Sequence, residues 1–474
     1  MGSNPTTPTQ TARSRRLNTE LFELDMRSLA LFRIGLGLLV LFDAFGRLVD
    51  LTAFYSDAGA VPRALVDQLR GDVMPLSLYM LDGSAQFAGS LLALHAIAGA
   101  CLLVGYRTRL FTAIAWLLTF SIQHRNLLVD NFGDLILRLL LFWALFLPLA
   151  ARASLDRRRA REPAPRSFVG FGSAGFIVQL ACVYLFTALL KTGNTWLDGS
   201  AIAVSLQNDT VAKLPQAAIA LGFPQLLVFL TYAVRAFEAI GPLVLFVPFA
   251  LGPLRTALVF VFWSFHLGLF ALLELGMFPL VCLVAWTAVL PGWFWDRIGV
   301  PAGSDLVVRR RQWLALAALA LVLFSNVSTL FPSTPYPALL GVPLRVSGLY
   351  QRWKMFAPNP SKRDGWMLAV GRRADGVEED LLNGGPVSWD KPAEVSSYYP
   401  SWRWANYMRA VTHRRPPVRQ AFARWLCRRE SAHRENGARI TSVTLHYLME
   451  TDPAPGKPPQ IHRVQTWEEA CPSD

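Results

Sequence analysis

A chain of 474 residues that is 53% hydrophobic and only 17% charged differs from ordinary soluble domains, which are about 45–50% apolar and roughly a quarter charged. Several apolar runs exceed the ~18 residues needed to cross a bilayer, so the composition points to a polytopic membrane protein and excludes a soluble globular one. The net charge of +13 does not signal a nucleic-acid partner, because the arginines cluster between apolar runs and lack interleaved aromatic residues.

In chain order, residues 1–27 are polar and basic ("TARSRR") and read as a cytoplasmic tail. The apolar segment behind them carries Arg33 and no convincing cleavage site, so it reads as a first span rather than a removed signal peptide. Nine candidate spans follow, at about 28–48, 86–105, 109–124, 133–150, 168–190, 225–248, 254–273, 276–292 and 312–331. Pro279 predicts a break between the seventh and eighth.

Loop charge tests this count. With the amino terminus (Arg13, Arg15, Arg16) cytoplasmic, alternation puts Arg107 and Arg109, the cluster from Arg152 to Arg166, Arg255, and Arg297 with Arg309–Arg311 on the same side, as the positive-inside rule requires. The opposite loops mix both signs, as in "YSDAGAVPRALVDQLRGDVM". Residues 28–331 thus form an all-α membrane domain, and residues 332–474 fall on the exoplasmic side.

That last part changes character. "GWMLAVGRRADGVEEDLL" predicts two strands about an Ala-Asp-Gly turn, and "RITSVTLHYLMET" alternates like another strand. "PVRQAFARWLCRRESAH" has helical spacing, and a Pro-rich, partly ordered tail is expected from Asp452. The fold class is therefore a polytopic helical domain of about nine spans followed by a small α/β domain. The five cysteines form no CxxC or CxH pattern, so no metal site is expected. Cys427 and Cys471 would pair in an oxidising compartment.

Ionisable residues inside the spans carry the functional signal, since each costs about 2.5–3.5 kcal/mol near a helix centre on insertion scales. Asp43 and Arg47, and Asp134 and Arg138, stand four apart, and Arg235 and Glu238 three apart, so each pair is expected to share a helix face and neutralise locally. Arg33 has no local partner and is expected to need an acid from another helix. His95 reads as a core histidine; His266 in "FWSFHLGLF" is balanced between structure and function.

Lys191 in "LFTALLKTGNTWLDG" has no carboxylate within a helical turn. One reading is a lysine snorkelling to the outer interface beside Trp196 and Asp198. The other is a poorly solvated amine acting as general base or nucleophile on an apolar substrate.

Several stretches together resemble the HTTM domain, the membrane domain shared with vitamin K-dependent γ-glutamyl carboxylase. They are "SLALFRIGLGLLVLFDAFGR" with "YSDAGAVPR", "LVGYRTRLF", "QHRNLLVDNFGDLILRLLLFWALFLPL", "LLKTGNTWLDG" and "FHLGLFALLELGMFP", in the family's order over about residues 25–300. "YQRWKMFAPNP" before "DGW" resembles the segment that bacterial members carry after the last span. In the carboxylase, a lysine five residues before a tryptophan deprotonates vitamin K hydroquinone, and oxygen then drives epoxidation and glutamate carboxylation.

The resemblance implies a catalytic Lys191 and His266, with Trp196, Arg33 and Glu238 as candidate substrate-binding residues. It implies a reduced quinone (vitamin K hydroquinone or menaquinol) as cofactor, no metal, and membrane lipids and an exported protein or peptide as partners. It also implies a bacterial inner-membrane location. The chain departs from the pattern in "QHRNLLVDNFGD", where Leu or Val replaces an assisting histidine and His124 is out of register. Its outer domain is far smaller than the carboxylase's.

Two functions therefore stand: a carboxylase/epoxidase-like lyase, and a non-catalytic protein that binds lipid, quinone or an exported partner. A transporter is weaker, because no internal repeat relates the halves. "YQRWKMFAPNP" reads as a segment anchored in the headgroup layer or, alternatively, as one that shapes the mouth of a site.

Overall fold

The computed structural model describes residues 20–70, 76–161, 163–213, 216–309, 312–331, 338–362, 364–413, 416–431, 438–451 and 460–472. The arginines expected in the amino-terminal tail, and Arg310 and Arg311, lie outside these residues.

Nine helices occupy the nine expected segments: α1 (Met26–Val49), α2 (Ala85–Val104), α3 (Thr108–Arg125), α4 (Phe132–Ala144), α5 (Phe171–Leu190), α6 (Pro224–Ile240), α7 (Leu251–Leu272), α8 (Phe278–Thr287) and α9 (Trp313–Ser328). Among the described residues, α1, α2, α5, α7 and α6 with its extension to Phe246 are long and apolar enough to cross a membrane. The remaining four are shorter or more polar. Helices α8 and α9 have 10 and 16 residues, α4 has 13, and α3 carries Arg109, His124 and Arg125 within its 18. The break near Pro279 is present: the chain leaves α7 at Leu272, and Pro279 sits in the first turn of α8, where a missing N–H is tolerated.

The tightest helix contact joins α1 and α2. A Cβ on Gly37 would lie 2.5 Å from the Leu103 backbone nitrogen, and one on Gly99 would lie 2.9 Å from Val40. Only glycine allows these backbones to meet. At the arginine-rich end, short strands not anticipated from sequence form a three-stranded sheet. Strand β2 (Ser167–Gly170) pairs antiparallel with β1 (Leu24–Asp25) and parallel with β3 (Leu306–Arg309). Asp25 caps α1 and holds the Arg27 guanidinium, which also reaches Asp296 at 2.8 Å.

After α9 come α10 (Ala338–Val346) and a four-stranded antiparallel sheet of order β5-β4-β6-β7: β4 (Asp364–Arg373), β5 (Glu378–Asp380), β6 (Ile440–Thr451) and β7 (Gln460–Ala470). Helices α11 (Trp402–His413) and α12 (Pro416–Ser431) connect β5 to β6. The two strands about the Ala-Asp-Gly turn and the strand in "RITSVTLHYLMET" form as expected.

The tail differs. Its residues 460–470 form β7, paired along β6, whereas 452–459 lie outside the described residues. The register shift between Leu445 and His446 breaks the alternation of β7 and hides it from a period-two reading. Cys427 on α12 is disulfide-bonded to Cys471 just past β7.

The carboxy-terminal part is not a separate body. Its core residues Tyr407, Phe422, Leu426 and Val443 belong to one buried cluster with Phe54, Tyr55, Val61, Ile122 and Val129 from the membrane domain. Charges reinforce the joint. Arg403 on α11 bonds Asp43 at 2.5 Å and approaches Asp134 at 3.4 Å. Arg47 bonds Asp43 (2.9 Å), Asp134 (2.6 Å), Asp130 (3.2 Å) and the Tyr55 hydroxyl (2.7 Å).

The local Asp43–Arg47 pair expected from sequence therefore exists. Asp134 pairs across helices instead of with Arg138, which donates to Gln123 Oε1 (2.5 Å) and the Gly348 carbonyl (3.1 Å). Elsewhere Lys391 bridges Asp209 (2.5 Å) and Glu450 (2.6 Å), tying the segment between α5 and α6 to β6. Those two carboxylates and Asp364 lie within 4.8 Å of one another, and the lysine occupies the position a cation would need.

Burial and the neighbouring Asp134 push the Asp130 carboxyl up to about 8, against the pull of Arg47 and Arg403. The folded state thus prefers the protonated form. Its contribution is full below the unfolded carboxyl value near 4 and is lost as pH rises through about 8. Asp130→Asn should match wild type at pH 4 and exceed it at pH 8.5 by more than about 1.4 kcal/mol, the equivalent of one pH unit; denaturant unfolding in detergent at both pH values measures this. Cys471→Ser should cost about 4 kcal/mol for a closed loop of this length. Maleimide labelling of unreduced, unfolded wild type should leave both cysteines unmodified.

Candidate functional site: a buried lysine–glutamate pair

Helix α5 stops at Leu190, and Lys191 is its C-cap residue. The chain turns through Gly193 into a one-turn helix, Asn194–Leu197, that carries Trp196. This turn is braced from "YQRWKMFAPNP". The Gly193 N–H donates to the Pro358 carbonyl at 3.0 Å, Thr195 donates to Asn359 Oδ1 from its N–H (3.1 Å) and hydroxyl (2.8 Å), and Trp196 Nε1 donates to the Phe356 carbonyl at 2.9 Å. A Cβ on Gly193 would lie 2.1 Å from Asn359 Oδ1, so glycine lets the strap close on the turn.

Lys191 is not the unpaired lysine that its neighbourhood in sequence suggests. Its ammonium is hydrogen-bonded to Glu238 of α6 and lies 4.3 Å from the centroid of the Trp196 ring. Lys191 is 2% exposed and Glu238 6%, so the lysine is an interior group and not a snorkelling end-cap. Glu238 in turn does not use Arg235, three residues before it.

A second polar group lies on the same helix. Tyr184 stands seven residues before Lys191, two turns and about 10 Å along the same face of α5. Its hydroxyl is in hydrogen-bond contact with His266 Nε2 of α7 and accepts from Trp286 Nε1 of α8, both at 2.8 Å. Phe262 stacks on Trp286 at 3.9 Å and meets Phe237, the neighbour of Glu238, at 4.3 Å. His266 is fully buried, and among the described residues its Nδ1 has no hydrogen-bond partner.

The structure thus brings together Lys191, Glu238 and Trp196, with His266 one aromatic layer away through Tyr184. Arg33 is not part of this assembly. It donates to the Leu102 and Leu103 carbonyls (both 2.7 Å), and its other nitrogen to the Ala153 carbonyl at 2.6 Å. It satisfies the end of α2 instead of pairing with an acid, so it is not a partner of Glu238. His95 is buried against the Thr119 hydroxyl at 3.0 Å, as a core histidine would be. His124 bonds the Phe120 carbonyl of its own helix at 2.8 Å and stacks on that ring, and so does not stand in for the family histidine.

Trp353 is fully buried, so "YQRWKMFAPNP" packs against the protein at the site's edge. Sequence reasoning missed Tyr184 and Asn359. The seven-residue spacing to Lys191 was available as a signal for the first, whereas Asn359 acts from 164 residues away.

The HTTM domain model matches residues 22–293, more than half of the chain. The protein belongs to the HTTM domain family, which includes membrane proteins related to vitamin K-dependent carboxylase. Neither a curated protein nor a solved structure matches it significantly. The match ends before α9 and the carboxy-terminal sheet, so the strap that closes over Trp196 is supplied from outside the shared domain.

A thermodynamic cycle tests the pairing. Lys191→Met strands a buried carboxylate and should destabilise the HTTM protein by about 3–5 kcal/mol. Lys191→Met/Glu238→Gln should recover most of that loss, as measured by unfolding in detergent. Additive losses would mean that the two side chains do not interact.

Proposed function

We propose that the protein is a vitamin K-dependent carboxylase-like membrane enzyme in which the Lys191–Glu238 pair takes a proton from a reduced quinone. The observation that carries this reading is the pair itself: an amine and a carboxylate in hydrogen-bond contact, both buried, under an indole ring. An amine acts as a base only after giving up its proton. Glu238 provides a place for that proton, and in a low-dielectric interior the transfer removes two buried charges together. Lys191 is then a neutral base and Glu238 the acid that returns the proton.

The residues fit a quinone in kind: an amine–carboxylate pair for a hydroxyl, flanked by Trp196 for a ring, with His266 Nδ1 still without a partner. Trp196 and Glu238 would hold the quinone, which when bound supplies the acidic hydroxyl and the electrons that reduce oxygen, yielding an epoxide with or without carboxylation of glutamate. At 2% exposure Lys191 is covered, so access requires Trp196 or the strap at Phe356 to move. Tyr184 fixes the His266 ring through Nε2 and so orients its free nitrogen.

The same reading assigns a bacterial inner-membrane location with the amino terminus cytoplasmic, lipids as neighbours and an exported protein or peptide as partner. The arginine-rich loops support that orientation. The Cys427–Cys471 bond supports an oxidising compartment for the carboxy-terminal domain.

One observation favours a second, non-catalytic reading in which the protein binds lipid, quinone or an exported partner. A lysine neutralised by Glu238 and covered by Trp196 is also what two helices use to hold together.

Quinol turnover decides between them. Purified protein supplied with reduced menaquinone or vitamin K and oxygen, with and without a short glutamate peptide, should form epoxide. Lys191→Ala should reduce this by at least about 100-fold, the scale of a lost general base. Folded wild type without epoxide under any condition, or Lys191→Ala with unchanged turnover, would leave the binding role.

A further inference from the structure

The strap that braces Trp196 also borders a cavity. Residues 354–361 run between the segment around Asn208 and helix α11, and the three enclose a volume of about 330 Å³. Its charged lining is cationic: Lys354 from the strap, Arg409 and His413 from α11. Tyr399 and Tyr447 add polar groups from other walls and Asn359 adds one from the strap, and among the described residues no carboxylate lines the cavity.

Arg409 and Lys354 are exposed residues that border this cavity, and the protein packed around the Arg409 guanidinium draws its pKa below the usual arginine value. The groups that oppose this shift are the hydroxyls of Tyr399 and Tyr447, and no carboxylate is among them. Its guanidinium makes one hydrogen bond among the described residues, to Asn406 Oδ1 at 2.8 Å. The Lys354 ammonium has no carboxylate within 4.0 Å among those residues. By contrast, Arg47, Arg403 and Lys391 in the same joint are each held by two or more carboxylates. Two water-accessible cations border one cavity that no carboxylate lines, whereas the buried cations Arg47 and Arg403 are paired, so the lining suits an anion from outside the chain.

We propose that this cavity binds a phosphate-type oxyanion, held by Lys354 and Arg409. The lining draws polar groups from the strap, α11, β6 and the Tyr399 loop. A tetrahedral anion accepts from several directions, whereas a planar carboxylate is satisfied by one guanidinium edge. The cavity also borders the segment near Asn208 that connects the spans α5 and α6, and a segment leaving a span passes the lipid headgroups. The source is a phospholipid headgroup or a soluble phosphate. The inference does not depend on the chemistry assigned to Lys191, since none of Lys191, Trp196 and Glu238 lines the cavity.

The test uses delipidated full-length protein in neutral detergent, followed by thermal unfolding. Inorganic phosphate and glycerol phosphate are titrated at constant ionic strength, with glutarate as carboxylate control. In parallel, nanodiscs of phosphatidylglycerol are compared with nanodiscs of phosphatidylcholine. A saturable rise in Tm with either free phosphate or phosphatidylglycerol, weakened at least about 10-fold in Lys354→Gln/Arg409→Gln, is expected.

Response to free phosphate assigns a soluble ligand, and response to phosphatidylglycerol alone assigns a lipid. Equal stabilisation by glutarate, no saturable response in any arm, or a response unchanged in the double variant overturns the proposal. Single variants Lys354→Gln and Arg409→Lys, checked for wild-type elution and Tm without ligand, guard against a folding artefact. Quinol epoxidation by the double variant is read separately, so failure of this site and failure of the Lys191 reading are distinguishable.

Discussion

A buried charge must be met by an opposite charge or by several dipoles, and this constraint organises the molecule. Arg403 reaches from α11 into the helix bundle because Asp43 and Asp134 are there, and those aspartates are tolerated because Arg47 and Arg403 are. Burial and the neighbouring Asp134 raise the Asp130 carboxyl above its ordinary value, so Asp43 and Asp134 are the main carboxylates that face the two guanidiniums. The network holds the carboxy-terminal domain to the bundle, and the apolar cluster around Tyr407 and Phe54 fills the space around it.

Everything at the candidate site depends on that docking. The strap that carries Phe356 and Asn359 is fixed at one end by α9 and at the other by β4, which lies in the docked sheet. Held in this way, it presents a carbonyl to Trp196 and an amide to Thr195, and Trp196 then covers Lys191. The carboxy-terminal domain therefore acts on the membrane site through backbone and amide contacts, without lending a charged group to it. The same strap borders the cavity beside Arg409.

Lys191 illustrates how the same rule makes a candidate for chemistry. Arg33, equally buried, is surrounded by carbonyl oxygens that can only accept, so its proton has nowhere to go. Lys191 faces a carboxylate, and a proton between an amine and a carboxylate has two resting places. That difference, and not burial alone, separates a structural cation from one able to exchange a proton.

The sequence by itself determined the helices. Apolar run length and the placement of arginines located all nine segments, the break at Pro279 and the change to strands after residue 360, because these depend on transfer energies and on periodicities that a chain carries locally. It also determined which residues to watch, since charges in apolar runs are few. Only the tertiary structure decided their partners. Glu238 stands 47 residues from Lys191 and Arg403 stands 360 from Asp43, separations at which local spacing carries no information. The i,i+4 rule found Asp43–Arg47 but misassigned Asp134, because in a bundle a nearby helix offers a better-placed guanidinium than the same helix does. Strand β7 was hidden for a related reason: its alternation is broken by a register shift that only its pairing with β6 defines.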